Sequence, residues 1–207
     1  MTHSDDALLS ILAESRRQGF LGPGPLEPQV EHARGFVEVL RSLTNVGQLM
    51  DMGSGGGLPG LVVALELVDL SVVLLDGNER RTTFLRWAVE QLKCIDRVTV
   101  IRDRAEDHSR RSGSDSAFDV VVARSFGPPG VTAECAARFL RIGGHLVVSE
   151  PPIGDGDRWE GLSSSAIGLR LVRVERLVVG SFAVLEKVVA TPLRLPRRGP
   201  ALKRPLF

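Results

Sequence analysis

The chain has no tyrosine, only two cysteines, and an almost even balance of 26 basic against 25 acidic residues in 207. With eight Phe and two Trp as its only aromatics, it lacks the interleaved aromatic series on which proteins stack single-stranded bases. The formal net charge of +1 excludes a global field that would draw the protein to nucleic acid or membrane, so any such attraction must be local. Cys94 and Cys135 stand far apart and match no zinc or redox spacing. They read as buried reduced thiols, and no metal is expected. The longest apolar region, Leu58 to Leu75, is interrupted by Pro59, Glu66 and Asp69, which argues against a membrane span. The N-terminal "MTHSDDALLS" has no basic segment followed by an apolar stretch, so no secretory signal is read and the cytoplasm is the expected compartment.

What is present is a hydrophobic content of 43%, enough for one sizeable core. Ala7, Leu8, Ile11 and Leu12 recur at helical intervals between Asp5 and Arg17, and "GFLGPGPLEP" then breaks the pattern. A second helix is read from Gln29 through Val30, Ala33, Phe36, Val37 and Leu40. Short apolar runs then alternate with amphipathic pieces, the pattern of a parallel sheet covered by helices. Strands are expected near Gly47 to Met52, Ser71 to Asp76, Val98 to Arg102, Asp119 to Ala123 and His145 to Ser149. In "NERRTTFLRWAVEQLK", Phe84, Leu85, Ala88, Val89 and Leu92 share one face of a helix that should pack on the sheet. Near Arg170, "LRLVRVERLVVGSFAVLEKVVA" reads as two alternating runs separated by "GS", an antiparallel hairpin. The expectation is an α/β fold: a seven-stranded mixed sheet with helices on both faces, organised as a helical cap (1–46), a core (47–190) and a basic, irregular tail (191–207) within one globular unit.

The stretch "LMDMGSGGGLPG", Leu49 to Gly60, follows a strand and precedes a helix. It is either a plain turn or a loop whose glycines let a ligand approach the backbone, with amide groups facing outward at a helix N-terminus. Gly55, Gly57 and Gly60 satisfy G-x-G-x-x-G, and Asp76 ends the next strand where an acidic residue would bind ribose hydroxyls, so a dinucleotide fits. Asp51 extends the pattern to D-x-G-x-G-x-G, the loop expected for S-adenosylmethionine in class I methyltransferases of Rossmann-like fold. The C-terminal hairpin favours this second ligand, because ordinary dinucleotide folds lack that antiparallel strand. "RDRAED" after the third strand puts Ala105 and Glu106 on a loop where adenine would lie, with helix capping as the alternative role.

These residues together resemble the bacterial RsmG (GidB) family, which methylates N7 of a guanine in small-subunit ribosomal RNA. The likeness covers about Gln29 to Phe207 and rests on "DMGSGGGLPG", "LLDGNERRTTFLRWAVEQL", "RDRAED", "FDVVVARSFGPP" and "LPRRGPALKRPLF". It implies cofactor positions at Gly53, Leu58, Ala105, Glu106 and Arg124, with Asp51, Ser54, Gly55, Gly57 and Asp76 in the same pocket. Two departures stand out. The family's N-terminal aromatic and Asn-Leu-Thr segment ahead of a His is reduced to His32 in "VEHARGF", where helix surface is the alternative. After the fifth strand the family's Lys-Gly is replaced by Glu150, Pro151 and Pro152, a negative group where a phosphate contact would need a positive one.

Guanine N7 carries a lone pair and no proton, so in-line methyl transfer needs alignment and electrostatics rather than a general base. The sequence accordingly offers no residue to name as catalytic base, and Arg124 is the residue expected to position cofactor or base. Arg194, Arg197, Arg198, Lys203 and Arg204 form a tail without acidic residues, a local positive patch for phosphates of ribosomal RNA or a ribosomal particle. Packing of the tail on the domain is the alternative. Two other functions compete: a small-molecule methyltransferase from the same family, and a non-catalytic protein that binds cofactor or RNA.

Overall fold

In the computed structural model, which describes residues 3–111, 116–151 and 157–204, two helices precede the first strand. They are α1 (His3–Arg17) and α2 (Glu27–Arg41). Asp5 and Asp6 in the first turn of α1, and Arg16 and Arg17 in its last, oppose the helix dipole. The alternating part follows as β1 (Gln48–Met52), α3 (Gly60–Glu66), β2 (Ser71–Asp76), α4 (Glu79–Gln91), β3 (Val98–Arg102), α5 (Ala105–His108), β4 (Phe118–Ala123), α6 (Pro129–Ala137) and β5 (Leu140–Glu150). A short α7 (Ser164–Ile167) leads to the strands β6 (Leu169–Leu177) and β7 (Gly180–Lys187).

The seven strands form one sheet in the order β3-β2-β1-β4-β5-β7-β6. β1 to β5 pair in parallel, and β7 runs antiparallel to both β5 and β6. Alternate strand residues face opposite sides, and each side has its own core. Leu49, Val72, Leu74, Val120, Val122, Phe182 and Val184 meet α1 to α4, including Leu12, Phe36, Leu61 and Leu85. Met50, Leu75, Val121, Leu146, Ala183 and Leu185 meet Ala133 and Ala136 of α6, Ile167 of α7, and Leu195 and Leu202 of the tail. Cys94 and Cys135 are free thiols inside these cores.

Three features differ from the sequence expectation. The hairpin turns at Val178 and Val179 rather than at Gly180 and Ser181, since Leu177 pairs with Gly180. Gly180 serves contact instead, because a Cβ there would lie 2.8 Å from Cδ2 of His32. β5 begins five residues before His145, running through Gly143 and Gly144 with a register shift against β4. Ala105 and Glu106 form the first turn of α5 rather than a loop.

The tail is held against the domain. Leu195 and Leu202 are buried, and Arg197 pairs at 2.9 Å with Glu134 of α6, whose side chain has no exposed surface. Pro152 and residues 205–207 lie outside the described residues. No helix among those described is long and apolar enough to cross a membrane.

Candidate functional site

The chain leaves β1 toward β2 on one side and β4 toward β5 on the other, so the crevice at the carboxyl ends of β1 and β4 is the topological switch point. The glycine loop, residues 53–59, and the segment Arg124 to Pro128 emerge there. A cleft of about 230 Å³ lies between them, lined by Gly53, Ser54, Gly55, Gly56, Leu58 and Arg124, and closed by Phe20, Leu21 and Gln29 from the cap. Ser15 of α1 fastens the cap to the loop, donating from Oγ to the Gly56 carbonyl at 2.9 Å in a buried contact.

The loop spends most of its amides on the protein. Gly53 and Ser54 N–H both donate to the Leu75 carbonyl at the end of β2, at 2.8 and 3.0 Å. Gly55 N–H donates to Oδ2 of Asp76 at 2.9 Å, Gly57 N–H to the Ser54 carbonyl at 2.8 Å, and Gly60 N–H to Oδ2 of Asp51 at 2.9 Å. These amides therefore do not form the outward row of donors that a pyrophosphate requires, which counts against the dinucleotide. Gly57 faces the core, where a Cβ would lie 2.5 Å from Leu61, whereas a Cβ on Gly55 would meet nothing closer than the Gly53 carbonyl at 3.7 Å.

Two carboxylates stand behind the loop. Asp51 is 1% exposed, and its Oδ1 is buried without a hydrogen-bond partner. Burial pushes its pKa up to about 7, opposed by the Gly60 amide and by the nearby Ser54 hydroxyl, whose hydrogen bond goes to the Asp51 backbone carbonyl at 2.8 Å; Asp76 adds to the rise while Arg124 reduces it. Asp76 is also buried; besides Gly55 it accepts from Asn78 N–H at 2.8 Å. An unpartnered carboxylate oxygen behind a loop with few free donors suits a cationic group, such as the sulfonium and ammonium end of S-adenosylmethionine. The residues present thus fit that ligand better than a phosphate ligand.

Arg124 follows β4 and is partly buried, which lowers its pKa against the counteracting charge of Asp51. Its Nη1 makes a long contact of 3.4 Å with the Gln29 carbonyl. Glu106 is buried beside Ala105, its Oε1 accepting from Nε of Arg104 at 2.7 Å, and neither residue lines the cleft. They stand two strands away from β1, just past the end of β3, which flanks β2. Among the described residues, no group of three or more His, Cys, Asp or Glu is placed to hold a metal ion.

Arg124 and Ser125 also line a second cavity of about 400 Å³, whose other walls include His32, Phe126, Ser149, Glu150 and Trp159. His32 is half-buried against Phe36 and Phe182, and burial lowers its pKa to about 4, helped by Arg124. It is therefore a neutral wall residue rather than free helix surface. Glu150 turns inward, with its side chain 6% exposed; Oε1 accepts from Nε1 of Trp159 at 3.1 Å, and Arg158 lies 3.5 Å from Oε2. Arg158 restores a cation at this rim, which a position-by-position reading of Glu150 misses. A larger hollow of about 810 Å³ between α1 and α4 shares none of the loop residues.

In the tail, Arg194, Lys203 and Arg204 are exposed, Arg198 pairs with Asp107 at 2.9 Å, and Arg197 is committed to Glu134.

Comparison with known proteins gives a consistent picture. Residues 29–150 match the family model for rRNA small subunit methyltransferase G (GidB). The chain is 34% identical over 212 residues to the ribosomal RNA small subunit methyltransferase G of Rubrobacter xylanophilus, covering 95% of this chain and 80% of that one. It is 34% identical to the protein of the same name from Thermotoga petrophila over 183 residues, 84% of this chain and 79% of the relative. Among solved structures, a candidate O-methyltransferase from Klebsiella pneumoniae superposes with a TM-score of 0.62 at 16% identity, covering 88% of this chain and 90% of that one, which shows the shared fold.

Proposed function

Because the chain belongs to the rRNA small subunit methyltransferase G family, we propose that it methylates N7 of a guanine in small-subunit ribosomal RNA with S-adenosylmethionine as methyl donor. The observation that carries the donor is the Asp51 carboxylate, buried with one oxygen unpartnered behind a glycine loop whose amides are largely spent. When bound, S-adenosylmethionine supplies an electrophilic methyl group on a cationic sulfur.

The loop face made by Gly53, Ser54, Gly55 and Leu58 would hold the donor, with Asp51 offering charge to its cationic end. Asp76, Ala105 and Glu106, on the side of β2 and β3, would be the acceptors for its nucleoside part. Gly57 contributes by packing the loop onto Leu61. Arg124 lines both the cleft and the second cavity, and in this reading it would orient donor and acceptor against each other. Since guanine N7 bears no proton, no residue has to remove one, and the neutral His32 need not act as a base. Catalysis then rests on the alignment of donor and acceptor and on the electrostatics of the groups around them.

Exposed Arg194, Lys203 and Arg204, with the half-free Arg198, are the phosphate contacts proposed for the tail, and Arg197 holds that tail in place. On this reading the partner is small-subunit rRNA or its particle, and the protein works in the cytoplasm.

The deciding experiment incubates the purified protein with labelled S-adenosylmethionine and under-methylated small-subunit particles or RNA, then maps the label. A single guanine carrying the methyl on N7 is expected. Donor binding without transfer to any such substrate would sink the proposal.

A further inference from the structure

The second cavity lies beside the glycine loop, joined to it through Arg124 and Ser125. Its volume of about 400 Å³ falls within the roughly 300–1,000 Å³ usual for small-molecule sites. Phe126 and Pro129 give it apolar surface for a ring face, and His32 adds a neutral wall. Its polar end is Glu150, whose side chain is 6% exposed and fixed by Trp159 and Arg158.

We propose that this cavity seats the target guanine and that Glu150 reads it, the carboxylate accepting hydrogen bonds from the ring N1–H and the exocyclic amino group. The inference rests on the guanine reading above and adds the residue that selects the base.

A carboxylate has roughly four lone-pair sites, so the Trp159 and Arg158 contacts leave acceptor capacity. Guanine presents two parallel donors, N1–H and the amino group, on its Watson–Crick side, while N7 lies on the major-groove edge away from that pair. A carboxylate that grips the donor side therefore leaves N7 uncovered, facing away from Glu150. Adenine has no proton on N1, and neither pyrimidine carries the same donor pair, so the same contact rejects the other bases. Burial raises the pKa of Glu150, countered by Arg158 and Trp159, and two further donors act in the same stabilising sense on its ionised form. The departure from the family's Lys-Gly thus becomes a gain for this chain: a buried acceptor for the base, with Arg158 keeping a cation at the rim.

The test compares small-subunit RNA carrying guanosine at the methylated position with RNA carrying inosine there, which lacks the amino group. The wild-type protein should methylate the inosine RNA with a kcat/KM lower by about tenfold or more, the effect of losing one hydrogen bond to a charged group. Glu150→Gln should lower kcat/KM on guanosine RNA by about tenfold, and bring the guanosine to inosine ratio within about threefold, with S-adenosylmethionine affinity unchanged. An unaltered ratio in a variant that keeps donor affinity overturns the role of Glu150 while leaving the guanine-N7 activity standing. Should Glu150→Gln fail to fold, the wild-type ratio decides: a tenfold preference for guanosine supports the proposal and equal rates overturn it. Transfer to no RNA at all overturns the functional reading itself, and this proposal with it.

Discussion

Arg197 in the tail donates through Nε and Nη2 to the carboxylate of Glu134 on α6, at 2.9 to 3.0 Å, and Glu134 has no exposed side-chain surface. The backbone N–H of Arg197 donates to the same carboxylate. A patch that looks like free positive charge therefore contains one cation that is internal to the fold.

Arg197→Ala leaves the buried Glu134 carboxylate with only the backbone N–H of residue 197 in place of its charged partner, and breaking such a pair costs about 3–5 kcal/mol. Urea unfolding should show a loss near the lower figure, since Arg197 is itself partly exposed. Arg198→Ala, 58% exposed and paired only with Asp107 among the described residues, should leave the unfolding midpoint nearly unchanged. If it touches an RNA phosphate, it should reduce the slope of log K against log salt by about one. Equal stability of the two variants would contradict the anchoring role of Arg197.

Gly55→Val should weaken S-adenosylmethionine binding by about a hundredfold or more, equivalent to roughly 3 kcal/mol. Gly55 sits at φ +54°, and its Cβ position is met only by the Gly53 carbonyl at 3.7 Å, so the added side chain occupies the approach to the loop rather than the core. A β-branched residue at that φ also strains the backbone by about 1–3 kcal/mol. Calorimetric titration of a folded variant decides the point, and full affinity would remove the loop from the binding site.

Donor binding should depend on Asp51. Its pKa stands at about 7, and a cationic ligand favours the ionised form. Affinity for S-adenosylmethionine should rise between pH 6 and 8, with proton release visible as a dependence of binding heat on buffer ionisation enthalpy. Asp51→Asn should bind more weakly, with this pH dependence lost. A variant that keeps the same pH profile would assign the effect to another group.

Stability should show two opposing linkages. Asp51 has a folded pKa raised from 3.8 to about 7, so its contribution is full below the unfolded value and is lost as pH rises toward 7. His32 has a folded pKa lowered from 6.5 to about 4, so its contribution is present above 6.5 and is lost as pH falls toward 4. Between these limits the two slopes oppose each other. Urea midpoints for Asp51→Asn should therefore fall more steeply on acidification than those of the wild type, and His32→Gln should lose stability as pH rises. Parallel curves for all three proteins would refute the burial of both groups.

Much of the candidate site is local in sequence, so its place in the chain was legible there. Asp51 through Gly60 and Asp76 are read directly, because a strand end, a glycine turn and a helix start are set by neighbouring residues. Less legible were features that depend on what packs against them. Gly180 looks like a turn residue, but the close approach of His32 explains it, and the turn falls on Val178 and Val179. Gly143 and Gly144 look like the end of a loop, yet a Cβ on Gly144 would lie 2.8 Å from the Asp119 carbonyl, so the strand passes through them against β4. His32 and Glu150 read as departures from a pattern, and only the cavity they share shows them facing one site.

The sequence by itself determined the seven-stranded order of alternation, the two apolar faces and the glycine loop, since periodicity and turn chemistry act over a few residues. Tertiary structure decided which charges are available. It spends the loop's amides on Leu75, Asp76 and Asp51, leaves one Asp51 oxygen unpartnered, buries Glu150 beside Arg158, and commits Arg197 to Glu134. The physical reason is that a charge's role depends on its desolvation and on partners distant in sequence, neither of which is carried by the residue's identity.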